Sequence, residues 1–167
     1  LSIFGDHQDI YAVRQTGACM LSSSSVEEAY HMAMVSHLAS IKSSLPFINF
    51  FDGFRTSHEI DKVKEIDLSK LETLIDKKAL RKFRDNGMIS GATTRGTAEN
   101  EDVYFQHTES RNGYYTKAID NVIYYMDKIN KICKTDYKPF NYYGDKSSDA
   151  VIIAMGSVCE CIKEVVD

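Results

Sequence analysis

The sequence predicts an α/β protein built around a parallel sheet, and three observations support this class. Residues 18–21 and 47–51 are short apolar runs typical of strands. Residues 26–42, between them, carry apolar side chains at helical spacing, so the three segments form a βαβ unit whose strands are parallel. Residues 150–155 are a third apolar run, and a helix predicted over 159–167 follows it, which indicates the start of another strand–helix unit.

Both ends of the chain are predicted to lie inside structural elements. Residues 1–4 form an apolar run that stops at Gly5, as the last part of a strand does. At the other end, Ser157 lies three residues before Glu160, which is the spacing of a capping box that opens a helix. A strand without neighbours cannot bury its apolar surface. We therefore expect a fragment of a longer protein, and weak folding of the 167 residues in isolation.

The other helices are predicted in order along the chain, over residues 10–15, 26–42, 68–75, 77–84 and 114–133. Asp9 is the expected N-cap of the first, and Gly17 lies just beyond its end. The second begins at a capping box formed by Ser25 and Glu28. Residues 87–112 show almost no periodicity and predict a long irregular loop, a feature that compact domains usually keep for function.

The composition excludes several classes of protein. The net charge of −4 and the isoelectric point near 5.7 give no basic footprint for nucleic acid. No run approaches the ~20 apolar residues that a membrane-spanning helix needs. The cysteines show no Cys-x-x-Cys spacing, so we expect free thiols in a reducing compartment at all four positions, Cys19, Cys133, Cys159 and Cys161.

Three short motifs have a functional interpretation and a structural one. Residues 91–97 are rich in Gly and Thr but lack the lysine that a phosphate-binding P-loop requires. Residues 155–157 lie between a predicted strand and helix, where backbone N–H groups can hold an anion, although an ordinary turn also explains them. The serines at 22–25 include the cap residue Ser25, and the sequence places no histidine to activate any of them as a nucleophile.

Two polar clusters follow predicted strands, at residues 5–9 and 52–59. Both are expected at the edge where the carboxyl ends of parallel strands meet, which is where open α/β sheets bind ligands. Arg55 can bind a carboxylate through two hydrogen bonds, and His7 or His58 can transfer protons. The structural alternative is that these polar side chains cap elements and pair with one another.

These clusters also carry a family resemblance. The chain contains three strings in this order: Leu1-Ser2-Ile3-Phe4-Gly5-Asp6-His7-Gln8-Asp9-Ile10-Tyr11, Arg14-Gln15-Thr16-Gly17 and Phe50-Phe51-Asp52-Gly53-Phe54-Arg55-Thr56-Ser57-His58-Glu59. Together they resemble the pyruvate:ferredoxin (flavodoxin) oxidoreductase family. The similarity continues in order through residues 95–100, 104–106, 140–144 and 151–160, and it is weakest over 60–90.

The resemblance implies an enzyme that oxidises pyruvate with coenzyme A to acetyl-CoA and CO2 and passes electrons to ferredoxin or flavodoxin. Thiamine diphosphate, Mg2+ and [4Fe-4S] clusters are the implied cofactors of the full-length protein, and none is expected to bind this fragment alone. Residues 1–86 would be the later part of the pyrimidine-binding domain, 87–139 a loop and helix associated with it, and 140–167 the start of a second domain similar to the C-terminal domain of transketolase. The implied full-length chain is a homodimer in the cytoplasm, or in an anaerobic organelle such as a hydrogenosome.

The resemblance places no catalytic residue and no metal ligand in this chain, because the family's catalytic and ligand residues align outside residues 1–167. The expected contribution is part of the wall or support of the thiamine pocket, from six candidates: His7, Gln8, Asp9, Asp52, Arg55 and His58. Two alternatives stay open. One is a non-catalytic α/β scaffold that packs against neighbouring domains, and the other is a related thiamine-dependent 2-oxoacid oxidoreductase of different substrate specificity.

Overall fold

The computed structural model describes residues 5–87 and 98–167. The strand predicted over 1–4 and the Gly/Thr-rich motif over 91–97 therefore lie outside the described residues. The strands are β1 (Cys19–Ser22) and β2 (Phe47–Phe50). The helices are α1 (Gln8–Val13), α2 (Val26–Ser43), α3 (Arg55–His58), α4 (Leu68–Glu72), α5 (Lys77–Asp85), α6 (Glu101–Ser110), α7 (Asn112–Cys133) and α8 (Val158–Val166).

The predicted βαβ unit is confirmed. β1 and β2 are parallel, with Cys19 opposite Phe47 and Ser22 opposite Phe50, and α2 connects them. The Ser25 hydroxyl accepts a hydrogen bond from the Glu28 N–H and so caps α2. The reciprocal half of the box differs, because the Glu28 carboxylate accepts from the N–H and hydroxyl of Ser24 rather than from Ser25. The described residues therefore belong to the α/β class, with a sheet of only two parallel strands.

The core lies where α2 packs against α7. Its buried apolar side chains are Met32, Val35, Leu38, Ala39, Val122, Tyr125, Met126 and Ile129. Fully burying one such aliphatic side chain contributes about 1.5–3 kcal/mol, so this helix pair is the main source of stability among the described residues. His31 is also buried here, and its Nδ1 lies 2.8 Å from the Tyr137 hydroxyl. Burial raises the pKa of Tyr137 above its ordinary range, which keeps the phenol protonated and able to donate.

Several predicted elements need correction. Asp9 does not cap the first helix. The helix α1 begins at Gln8, one residue before Asp9, so Asp9 lies within its first turn. The irregular loop predicted over 87–112 contains α6, which has no buried residue and hence no apolar periodicity to reveal it. Ser157 does not form a capping box with Glu160, because its backbone is already helical and its side chain makes no cap hydrogen bond.

The strand predicted over 150–155 is also wrong as a local element. The structure assigns no strand there, and Val151, Ile152 and Ile153 are 66%, 72% and 95% exposed. A strand exists only when a neighbour accepts its backbone hydrogen bonds, and no described segment pairs with this one. The four cysteines are free thiols, as predicted. Within residues 5–87 and 98–167, no helix has both the length and the apolar character needed to cross a membrane.

Candidate functional site

The carboxyl edge of the sheet is organised around Asp52, which comes two residues after β2. Its side chain is only 8% exposed, and its Oδ1 lies 3.1 Å from His7 Nε2. The His7 ring in turn packs edge-on against Phe50, with centroids 5.5 Å apart. The structure therefore brings together one member of each polar cluster, as the parallel arrangement of the strands predicts.

A third segment reaches the same carboxylate. The Ser157 N–H, at the start of α8, donates a hydrogen bond to Asp52 Oδ2. Gly156 has a φ of +80°, and a Cβ at this position would lie 2.7 Å from Asp52 Oδ1 and 3.1 Å from His7 Nε2. Only glycine allows this approach. The Met155-Gly156-Ser157 turn thus binds an anionic side chain of the protein itself, the Asp52 carboxylate, through the Ser157 N–H.

The loop after Asp52 has an unusual backbone. Phe54 has a φ of +66° and a half-exposed ring, and its N–H donates to the Ser57 hydroxyl at 2.8 Å. A bulky residue in this conformation is strained, and such strain persists where the surrounding structure enforces it. The backbone carbonyl of Asp52 accepts from the Ser57 N–H at 3.2 Å, so the strained turn is hydrogen-bonded to the backbone of the residue that carries the buried carboxylate.

The other four candidates lie at the surface. Gln8 and Asp9 are exposed in the first turn of α1, and the Asp9 carboxylate accepts a hydrogen bond from the Ile10 N–H. Arg55 is exposed and forms no ion pair with a carboxylate of the described residues. His58 is also exposed, and its Nδ1 lies 2.9 Å from the Ser57 hydroxyl. The structure therefore separates the six candidates into a contacting pair, the half-buried His7 and the buried Asp52, and four surface side chains.

Three of the serines at 22–25 have structural partners, whereas the Ser22 hydroxyl is buried without a hydrogen-bond partner among the described residues. Ser23 donates to the Asn49 side chain, which donates in turn to the Ala29 carbonyl. Ser24 bonds to the Glu28 carboxylate, and its hydroxyl also lies 3.4 Å from Glu160 Oε1 of α8. Burial, with further contributions from Glu28 and Glu160, raises the pKa of the neighbouring Cys159 thiol, so this thiol is not an activated nucleophile. The structural interpretation of this segment is favoured.

Thiamine diphosphate, the cofactor that the resemblance implies, needs a pocket that encloses it and ligands for its Mg2+. A cavity of about 170 Å³ lies at the sheet edge, lined by Asp6, His7, Asp9, Ile10, Phe50, Phe51 and Gly53. Pockets that enclose a ligand of about the size of thiamine diphosphate measure roughly 300–1,000 Å³. No group of three or more His, Cys, Asp or Glu side chains within residues 5–87 and 98–167 can hold a metal ion. These residues by themselves do not fit thiamine diphosphate or its Mg2+.

Sequence reasoning selected Asp52 and His7 but missed their third partner. The signal was present: a Gly-Ser pair before a helix, predicted to follow a strand, offers N–H groups to a carboxylate. That the carboxylate comes from a residue 105 positions earlier depends on tertiary structure.

Comparison with known proteins gives concordant matches. Residues 1–127 match the family described as pyruvate flavodoxin/ferredoxin oxidoreductase, thiamine diphosphate-binding. The whole chain is 51% identical to a pyruvate-flavodoxin oxidoreductase of Enterobacter agglomerans and 49% identical to one of Klebsiella pneumoniae. It is 45% identical to a pyruvate:ferredoxin oxidoreductase of Moorella thermoacetica. The chain spans 14% of the length of each of these three relatives.

Proposed function

Because this chain belongs to the pyruvate flavodoxin/ferredoxin oxidoreductase family, in its thiamine diphosphate-binding part, we propose that it is a region of an enzyme that oxidatively decarboxylates pyruvate. Pyruvate and coenzyme A give acetyl-CoA, CO2, a proton and two electrons, and the electrons pass to flavodoxin or ferredoxin. Thiamine diphosphate, when bound, supplies the group that stabilises the carbanion left by CO2. In this proposal Mg2+ and the [4Fe-4S] clusters are held by residues outside this chain.

The proposed task of the present residues is to hold one wall of the cofactor pocket. The observation that carries this proposal is the convergence on Asp52 of His7 and Ser157, because segments distant in sequence are fixed by one buried carboxylate. A buried carboxylate with charge-assisted partners gives a rigid support, and preorganised sites need such supports. His7 and Asp52 form the support, whereas Gln8, Asp9, Arg55 and His58 remain proposals for contacts with the pocket.

We also propose the division into domains. Residues 1–86 belong to the pyrimidine-binding domain, 87–139 contain a loop and a connecting helix that are still associated with that domain, and 140–167 begin a second domain. In support, the family match ends at residue 127, and the apolar run 151–153 is exposed, as expected for a strand whose sheet is built by other parts of a longer protein. In this division the contact between Asp52 and Ser157 is an interdomain contact.

The experiment that tests the function uses the full-length enzyme, purified under anaerobic conditions. Reduction of methyl viologen would be followed with pyruvate, 2-oxobutyrate and 2-oxoglutarate, each with and without coenzyme A. We expect the highest kcat/KM with pyruvate, and acetyl-CoA formation that depends on coenzyme A and thiamine diphosphate. Preference for 2-oxoglutarate would assign the chain to the alternative 2-oxoacid oxidoreductase. An inactive protein with thiamine diphosphate bound would favour the scaffold alternative.

A further inference from the structure

The loop that follows Asp52 contains two features that disfavour its own conformation, and the first is a turn. Gly53, Phe54 and Arg55 form a γ-turn, in which the Arg55 N–H donates to the Gly53 carbonyl at 2.8 Å. Phe54, at the centre of this turn, has a φ of +66° and a ψ of −48°. This positive-φ form of the γ-turn is rare, and it is strained for a residue with a Cβ. We call residues 53–58 the edge loop, because they follow β2 at the carboxyl edge of the sheet.

The second feature is a buried hydroxyl. Thr56 is only 4% exposed, and its Oγ1 is enclosed without a hydrogen-bond partner among the described residues. A hydroxyl that loses its hydrogen bonds to water and gains no partner destabilises the folded state, and native structures contain few such groups. The edge loop therefore carries a strained backbone and an unsatisfied polar group within three consecutive residues. It is not in the conformation that its own residues favour.

The packing of the edge loop does not compensate for these two features. The Phe54 ring is 56% exposed and stacks on His58 of the same loop, with ring centroids 5.1 Å apart. Its N–H donates to the Ser57 hydroxyl, and the Ser57 N–H donates to the Asp52 carbonyl. Within the described part of the chain, every hydrogen bond of the edge loop stays among residues 52–59. On the side of β2, the edge loop is thus held through the backbone of Asp52.

Asp52 is in turn held by its side chain. The carboxylate accepts the Ser157 N–H at the start of α8, and it lies 3.1 Å from His7 Nε2. The turn approaches closely because Gly156 has no Cβ, which would lie 2.7 Å from Asp52 Oδ1. A strained segment persists only where the surrounding structure enforces it. Asp52 is the connection through which residues 156–157 can act on the edge loop.

We propose that the contact between Asp52 and the Gly156–Ser157 turn holds the edge loop in its strained conformation, so that separation of this contact releases the loop. Release moves Arg55 and His58, which the edge loop exposes at the edge where open α/β sheets bind ligands. The turn lies in the second of the proposed domains, so the edge loop responds to whether that domain is docked. This inference goes beyond the proposed catalytic function and shares with it only the division into domains.

Hydrogen exchange by mass spectrometry on the full-length enzyme tests the strain. The peptide that covers residues 53–60 is followed, with its rates corrected for the intrinsic exchange of each sequence. Phe54→Gly removes both the ring and the Cβ, whereas the matched control Phe54→Ala removes the ring and keeps the Cβ. We expect exchange in Phe54→Gly to be about 3- to 30-fold slower than in Phe54→Ala, because the strain arises from the Cβ and the greater freedom of glycine in the released loop offsets part of the gain. Equal or faster exchange in Phe54→Gly overturns the proposal.

A second pair of variants tests the coupling to the turn. Gly156→Ala places a Cβ against the Asp52 carboxylate, whereas Gly144→Ala, also at a positive φ, places one 3.1 Å from the Val166 side chain. We expect Gly156→Ala to speed exchange of the 53–60 peptide roughly tenfold or more, and Gly144→Ala to leave it near the wild-type rate. Adding Phe54→Gly to Gly156→Ala should restore part of the lost protection. Wild-type exchange in Gly156→Ala, or an equal response to Gly144→Ala, overturns the coupling.

Thr56→Val measures the strain independently of residue 54, and it replaces those variants if they fail to fold. It exchanges the unsatisfied hydroxyl for a methyl group of similar size, so exchange of the 53–60 peptide should be several-fold slower than in the wild type. Unchanged or faster exchange contradicts the proposal. All of these measurements are exchange rates. Absence of pyruvate-dependent viologen reduction would therefore overturn the proposed function and leave this inference standing.

Discussion

Replacement of Asp52 by alanine tests the support that joins β2, His7 and α8. The carboxylate is buried, accepts the Ser157 N–H and lies 3.1 Å from His7 Nε2. A hydrogen bond to a charged group contributes roughly 1.5–3 kcal/mol, so the two partners together represent about 3–6 kcal/mol. Water entering the truncated site offsets part of this. We expect Asp52→Ala to lower the local stability by about 2–4 kcal/mol, and Asp52→Asn, which keeps the shape and one acceptor, by about 1–2 kcal/mol.

The appropriate assay is hydrogen exchange by mass spectrometry on the full-length protein, because a single unfolding temperature is not well defined for a multidomain chain. A loss of about 2–4 kcal/mol should speed exchange of the peptide containing Ser157 by roughly 30- to 1,000-fold, if local opening limits exchange. Asp61→Ala is the matched control, since Asp61 is exposed and its carboxylate, among the described residues, bonds only to the adjacent Lys62 N–H. Unchanged protection in Asp52→Ala would refute the support, as would an equal effect in the control.

Three further predictions concern the same full-length protein. Gly156→Ala would place a Cβ 2.7 Å from the Asp52 carboxylate at a φ of +80°, so exchange protection of this turn should fall by roughly 1–3 kcal/mol, whereas Gly53→Ala meets open space and should be nearly neutral. Burial lowers the pKa of His31 below its ordinary 6.5, so the unfolded chain binds this proton more readily than the folded one, and stability should fall as the pH drops below about 6.5. His31→Phe should weaken that dependence in the hydrogen-exchange protection of α2 between pH 5 and 8, corrected for the intrinsic exchange rate at each pH, and equal pH slopes in both proteins would contradict the assignment. Arg55 is exposed, so Arg55→Ala should leave exchange protection intact while lowering turnover or thiamine diphosphate affinity; wild-type values of both would exclude a pocket role.

Local sequence patterns were sufficient to predict most of the helices and strands. The parallel pair β1 and β2 and the intervening α2 lie within two residues of their predicted bounds, because alternation of apolar runs with turn residues is a short-range signal. The prediction failed at α6, which has no buried residue and so shows no apolar periodicity. It failed at 150–155 for the opposite reason, since a strongly apolar run still needs a hydrogen-bonding neighbour to become a strand.

The candidate site was predictable in part. The topology of a βαβ unit requires residues after β1 and β2 to meet at one edge, and the prominence of Asp52 in the sequence follows from its position directly beyond a buried strand. Topology does not say which of six polar side chains is buried. Asp52 is buried, His7 is half-buried against it, and the other four candidates face solvent.

The sequence by itself determined the α/β class, the family, the parallel pairing and the free thiols, because each depends on residue type and spacing along the chain. Only the tertiary structure decided that Asp52 supplies the anion for the Gly156–Ser157 turn. This depends on which groups meet across a long separation in the chain. Electrostatic and hydrogen-bond energies fall steeply with distance, so they are fixed by ångström-scale geometry that no local sequence pattern encodes.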